Sequence, residues 1–218
     1  MYLDASDPWI RWDWVGDHTD RIGAALVQHI QLTVIAVAVG ILLAIPIGVL
    51  TWRYRRSRGT ILTVAGIFYT IPSLALFAFL VPYTGLGLLT AEIGLVSYTL
   101  LILVRNIVVG LDGVPADVRD AARGMGYRPL RQLLRVDLPL ALPVIMAGVR
   151  IATVTTIGLV TITALIGEGG LGQLILDGLT RDFRTPLVVG GGLSVILAIV
   201  CDVGLGQLQR LVTPWSRA

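Results

Sequence analysis

Residues Ala25 to Thr51 read ALVQHIQLTVIAVAVGILLAIPIGVLT, without one charged side chain. At 1.5 Å rise per residue, about twenty such residues in a helix cross the ~30 Å hydrocarbon core of a bilayer. Four further stretches share this apolar character: Ile61 to Tyr83, Ile93 to Leu111, Ala141 to Ile166 and Leu187 to Leu208. Composition points the same way. The 218 residues are 55% hydrophobic and 14% charged, with a mean hydropathy of +0.82, where a soluble domain averages roughly 25% charged. The expected fold is all-α and integral to a membrane, with about five transmembrane helices. A transmembrane domain at 21–212 lies between an extracytoplasmic segment, 1–20, and a cytoplasmic tail, 213–218.

The charged residues orient the spans. Arg53, Arg55, Arg56 and Arg58 follow the first span, and Arg119, Arg123, Arg128, Arg131 and Arg135 crowd the loop between the third and fourth. Arg210 and Arg217 lie at the far end, whereas the opposite side of the membrane receives Arg11, Arg21, Arg181 and Arg184. Cytoplasmic loops carry the excess of basic residues, which puts the N-terminus outside and the C-terminus in the cytoplasm. Trp9, Trp12, Trp14, Trp52 and Trp215 all flank spans, as an interfacial belt requires. The net charge of +3 therefore needs no nucleic-acid partner. The N-terminus lacks the basic n-region of a signal peptide, so the first span is expected to be retained.

Several chemistries are excluded. The chain has no lysine, hence no Walker A loop and no Schiff-base lysine. Any ATP, with its magnesium, must bind another subunit, and no cofactor is expected on this chain. Cys201 stands alone in an apolar run, and neither histidine has partners at metal-binding spacing. No metal site and no catalytic constellation is expected.

Inside the spans, small residues recur every fourth position on one helix face: Ala36, Gly40, Ala44 and Gly48 in the first, Gly190, Ser194, Ala198, Asp202 and Gly206 in the fifth. Such ladders let helix backbones approach closely. Pro46 and Pro72 are expected to kink their spans. Arg150 and Asp202 both lie near mid-membrane, where an unpaired charge is expensive. An Arg150–Asp202 ion pair is the economical arrangement, and a contact of either residue with solute is the alternative. Arg105 lies nearer the inner surface and is expected to snorkel.

The loop at 113–139, GVPADVRDAARGMGYRPLRQLLRVDLP, carries the functional signal. Pro115 suits a helix start, Asp117 and Asp120 suit its N-terminal end, Gly124 and Gly126 break it, and Pro129 begins a second helix. The outcome is an elbow on the membrane surface, either lying on anionic lipid or docking a soluble partner. Ala121 and Ala122 beside the glycine turn leave a flat surface that favours a partner.

This loop resembles the EAA signature of the permease subunits of bacterial ABC importers. The matching positions are Asp120, Ala121, Ala122, Gly126, Val136, Leu138 and Pro139, with aspartate and valine in place of glutamate and isoleucine. The resemblance implies the type I ABC importer permease fold. The loop would then be the coupling helix that inserts into a separate ATPase subunit. Tyr69-Thr-Ile-Pro72-Ser73-Leu-Ala75-Leu, Arg105-Asn106 and Gly167-Glu168-Gly169-Gly170-Leu-Gly172 further resemble the osmoprotectant branch, which handles glycine betaine, choline, carnitine or proline. On this likeness Tyr69, Pro72, Ser73, Glu168 and Gly170 become candidate gate or pathway residues. It also implies an ATP-binding subunit, an extracytoplasmic solute-binding protein, a second permease subunit of the same or a related chain, and a bacterial inner-membrane location. An amino-acid or methionine importer permease is the alternative within transport. A stand-alone secondary transporter or channel is the alternative outside it.

Overall fold

A computed structural model describes residues 8–217. Residues 1–7 of the N-terminal segment and residue 218 of the tail lie outside the described residues. Those described fold into helices joined by short turns, and no strand occurs among them. A short α1 (Trp12–Asp17) precedes α2 (Thr19–Arg53), α3 (Arg55–Thr70), α4 (Ser73–Thr84) and α5 (Leu88–Asp112). Then come α6 (Ala116–Gly124), α7 (Pro129–Gln132), α8 (Leu138–Val160), α9 (Leu171–Thr180) and α10 (Arg184–Val212). Four runs among the described residues are long and apolar enough to cross a membrane: Thr19–Arg53, Leu88–Asp112, Pro129–Ile166 and Arg184–Val212.

The stretch Ile61 to Tyr83, expected to cross as one kinked span, is two helices bent by 94°, and makes a fifth crossing if the bent pair counts as one broken span. Pro72 causes the bend. A proline disfavours helical backbone at the preceding residue, and Ile71 is extended at φ −65°, ψ 127°. The Tyr98 hydroxyl of α5 donates to the freed Ile71 carbonyl, and the Tyr69 ring meets Tyr98 edge-on at 5.9 Å. Pro46, expected to kink its span, lies within α2, which continues unbroken to Arg53. The first span also begins earlier than its apolar run suggests, with α2 starting at Thr19.

The core is built from α2, α5 and α8. Ala36, Gly40, Ala44 and Gly48 are all buried along one face of α2. A methyl group on Gly48 would sit 2.6 Å from the Ile107 side chain, so α2 and α5 touch backbone to side chain. On the other flank Gly110 of α5 lies against the Ala141 backbone of α8. The ladder of α10 divides: Gly190 and Ser194 are buried, whereas Asp202 and Gly206 are half-exposed. Only 11% of the α10 span is buried, against 50% of α5.

Candidate functional site

The elbow forms as a helix, a left-handed turn and a continuation into the fourth span. Pro115 immediately precedes α6, Asp117 occupies its first turn and Arg123 its last, complementing the helix dipole. Gly124 and Gly126 end the helix as expected: Gly124 is its last residue, and the reversal falls two residues later. Gly126 has φ +76°. Its N–H donates to the Arg123 carbonyl at 2.9 Å, and the Tyr127 N–H donates to the Ala122 carbonyl at 3.1 Å. These are the two bonds of a Schellman cap, whose left-handed residue is best supplied by glycine.

The second half begins as the expected second helix. Pro129 does start α7, but a π-turn at Leu133–Asp137 carries it directly into α8. Pro139 explains the wide turn: it has no N–H to give to Arg135, and its ring crowds that carbonyl. Val136, Leu138 and Pro139 are half-buried at this joint.

Of the signature residues, Ala122 is buried, while Asp120, Ala121 and Gly126 face outward. Asp120 pairs with Arg123 one turn on at 3.1 Å, an exposed contact of little energetic weight. Met125, Leu130 and Leu134 are exposed around the same turn.

Sequence reasoning missed what holds the elbow in place. Arg119 Nε donates to Asp137 Oδ1 at 3.0 Å, and the other end of the guanidinium donates to the Leu111 carbonyl. The guanidinium also stacks 5.1 Å from the Trp52 ring centre. Gln132 donates to the second Asp137 oxygen at 3.4 Å. Asp137 is 2% exposed. One side chain thereby ties α6 to the ends of α2 and α5 and the base of α8. The available signal was Asp137 itself, the one acid in the basic half of the loop.

At mid-span, Arg150 and Asp202 form a two-pronged pair: Nε to Oδ1 and Nη2 to Oδ2, both at 2.9 Å. Gly206, one turn below Asp202, leaves space for the guanidinium, which lies 3.4 Å from where a methyl group would project. Arg105 is exposed.

The candidate gate residues fall in two places. Tyr69, Pro72 and Ser73 sit at the α3–α4 bend. Glu168 and Gly170 sit in the turn before α9, clamped by Gln28 of α2. Gln28 donates to Glu168 at 2.5 Å and accepts from the Gly170 N–H at 3.1 Å. Gly170 is required there, because a methyl group would lie 2.6 Å from the Ala25 carbonyl. His29 of α2 is fully buried, and its Nε2 lies 3.1 Å from the Ile157 carbonyl.

Residues 36–214 match the family model described as the binding-protein-dependent transport system inner membrane component. A choline transport system permease protein of Bacillus subtilis is 41% identical over 188 residues, covering 86% of each chain. An osmoprotectant import permease protein of Salmonella typhimurium is 38% identical over 203 residues, 91% of this chain and 94% of that one. Among solved structures, a chain of the MetNI methionine ABC transporter in an inward-facing conformation superposes with a TM-score of 0.81 at 23% identity. It covers 90% of this chain and 98% of that one.

Proposed function

This chain belongs to the binding-protein-dependent transport system inner membrane components, and from that membership we propose that it admits quaternary-ammonium osmoprotectants such as glycine betaine, choline or carnitine. The family is the membrane permease of ABC importers, and the ATPase is a separate subunit. The observation that carries the substrate reading is the set of relatives named for choline and osmoprotectant import at 38–41% identity over most of both chains.

In this reading the arginine-rich end faces the cytoplasm, with the N-terminus outside and the C-terminus inside. The elbow docks the ATP-binding subunit, which holds ATP and magnesium. Its outward residues, Asp120, Ala121 and Met125, offer a small-residue step beside an exposed apolar side chain, and Arg119 passes movement of α6 to three spans at once. An extracytoplasmic binding protein delivers solute to the opposite end. A second permease subunit, the same or a related chain, completes the path.

The test is uptake. Vesicles holding the permease with its ATP-binding subunit, supplied with the cognate binding protein and internal ATP, should accumulate radiolabelled glycine betaine or choline. Accumulation of methionine or another ordinary amino acid instead would overturn the substrate reading while leaving the family intact.

A further inference from the structure

Two cavities on the α8–α10 surface meet at one ion pair. The cavity toward the arginine-rich end, about 240 Å³, is bordered by Arg150 and Asp202 together with Gln207, Gln209 and Arg210. The cavity on the opposite side, about 420 Å³, is bordered by the same pair together with Ile151, Val154 and Ile199. Val203 touches both. The pair thus lies between a groove with mixed polar lining and an apolar one, about midway along α8.

Within the single chain the pair is not sealed. The side chains of Arg150 and Asp202 are 33% and 41% exposed, whereas ionisable groups at mid-membrane face protein or a water-filled cavity, not lipid. The pair also leaves bonding capacity unused. A guanidinium carries five N–H donors, and the two bonds to Asp202 occupy only Nε and Nη2. Each carboxylate oxygen likewise accepts more than one bond.

We propose that Arg150–Asp202 is a solute subsite that also closes the path when empty, and that it takes a small zwitterion with a carboxylate at one end and a quaternary ammonium at the other. The proposal rests on the osmoprotectant reading above. The solute carboxylate replaces Asp202 on the Nε–Nη2 edge of the guanidinium, and the released Asp202 meets the cationic end. Ile151, Ile199 and Val203 line the apolar groove against the methyl groups. One internal pair is exchanged for two pairs with solute, so no charge stands bare at mid-membrane at any stage. A cation without a carboxylate engages Asp202 alone and leaves Arg150 without a counter-charge, so the site favours zwitterions.

The test compares glycine betaine with choline, using the complete transporter in ATP-loaded vesicles. Arg150→Lys keeps the charge but loses the two-pronged geometry, and is expected to raise KM for glycine betaine about tenfold while moving that for choline less than about twofold. An unchanged ratio between the two solutes overturns the proposal. So does full recovery of wild-type ratios by the exchanged pair, Arg150→Asp with Asp202→Arg, because a purely structural contact would be satisfied that way. A measurement that leaves the pair intact guards against folding failure. In a Cys201→Ser background, glycine betaine is expected to slow N-ethylmaleimide modification of Val203→Cys during turnover, and absence of protection overturns the subsite. Wild-type vesicles that import neither probe refute the functional reading, and this proposal falls with it. Wild-type import with unmoved ratios refutes this proposal alone.

Discussion

Two arginine–aspartate pairs flank α8, one at its base and one midway along it, and their settings are opposite. Arg119–Asp137 lies where the elbow meets α8, with side chains 16% and 2% exposed. Arg150–Asp202 lies at mid-span, with side chains 33% and 41% exposed. The pair in the charged loop is the enclosed one, and the pair in the apolar run is open. Enclosure suits a joint that must not slip, since each of its partners holds a further bond, to Leu111 or to Gln132. Openness suits a contact that must part and re-form.

The enclosed pair should therefore give the largest stability loss. Asp137→Ala strands a guanidinium beside three spans, and breaking a buried pair in this way costs about 3–5 kcal/mol. That is a large share of the roughly 5–15 kcal/mol by which folded proteins are stable. Little folded protein should be recovered from membranes, and its thermal transition should fall. Adding Arg119→Met removes the stranded charge and should restore part of the loss, not all, because the Leu111 carbonyl loses its side-chain donor. Normal yield of Asp137→Ala would show that the joint is not held by this pair.

Asp202→Ala should lower the yield of folded permease by less than Asp137→Ala does. The open pair is 33% and 41% exposed in the single chain, so a partnerless Arg150 is less tightly enclosed than a partnerless Arg119. Adding Arg150→Ala should recover yield, and simple addition of the two losses would contradict the coupling seen at 2.9 Å. Uptake should stay low in the double variant even where yield recovers, because both solute contacts are gone. If Asp202→Ala proves the more damaging of the two substitutions, the contrast between open and enclosed pairs is wrong.

The same contrast explains what was legible in the sequence. Arg150 and Asp202 stand out because each interrupts an apolar run, and their mutual reach follows from depth alone. Asp137 is hidden among five arginines of its loop, any of which could be its partner by composition. Choosing Arg119 needs the turn at Gly126 and the π-turn at Leu133–Asp137, which fold the two halves of the loop together. Periodicity cannot supply that. The spans were legible because hydropathy is a sum over many residues. The break at Pro72 was legible too, from the proline itself, but its 94° angle was not, because no local pattern announces that Tyr98 of another helix bonds the Ile71 carbonyl there. The α10 ladder was half legible: spacing places its residues on one face but does not say that packing stops after Ser194.

The elbow's turn should respond more mildly in stability and more sharply in function. Gly126 is exposed at φ +76°, and a methyl group added there would meet nothing of its own chain within 4 Å. Gly126→Asp therefore costs only backbone strain, on the order of 1 kcal/mol. Membrane abundance should remain near normal. Uptake should fall to background, with the ATP-binding subunit either lost on purification or hydrolysing ATP without transport. Undiminished uptake would separate this turn from the docking surface and leave the Arg119–Asp137 joint as a purely structural feature.

The smallest perturbation tests the frame in which both pairs are read. If the arginine-rich end is cytoplasmic, the enclosed pair lies on the ATPase side and the mixed groove beneath Arg150–Asp202 opens inward. Gly59 lies in the first turns of α3 with open space around it, and Leu86 is 72% exposed in the turn between α4 and α5 at the opposite end. In a Cys201→Ser background, neither Gly59→Cys nor Leu86→Cys touches a pair, a ladder or the elbow, so yield and uptake should be close to the parent's. An impermeant maleimide should reach Leu86→Cys in intact cells and Gly59→Cys only in inverted vesicles. The reverse pattern would place the Arg119–Asp137 joint outside the cell, beyond the reach of any ATPase. The mid-span pair would survive that result as geometry, but its mixed groove would then face the binding protein, and the order in which a solute meets the two grooves would be inverted.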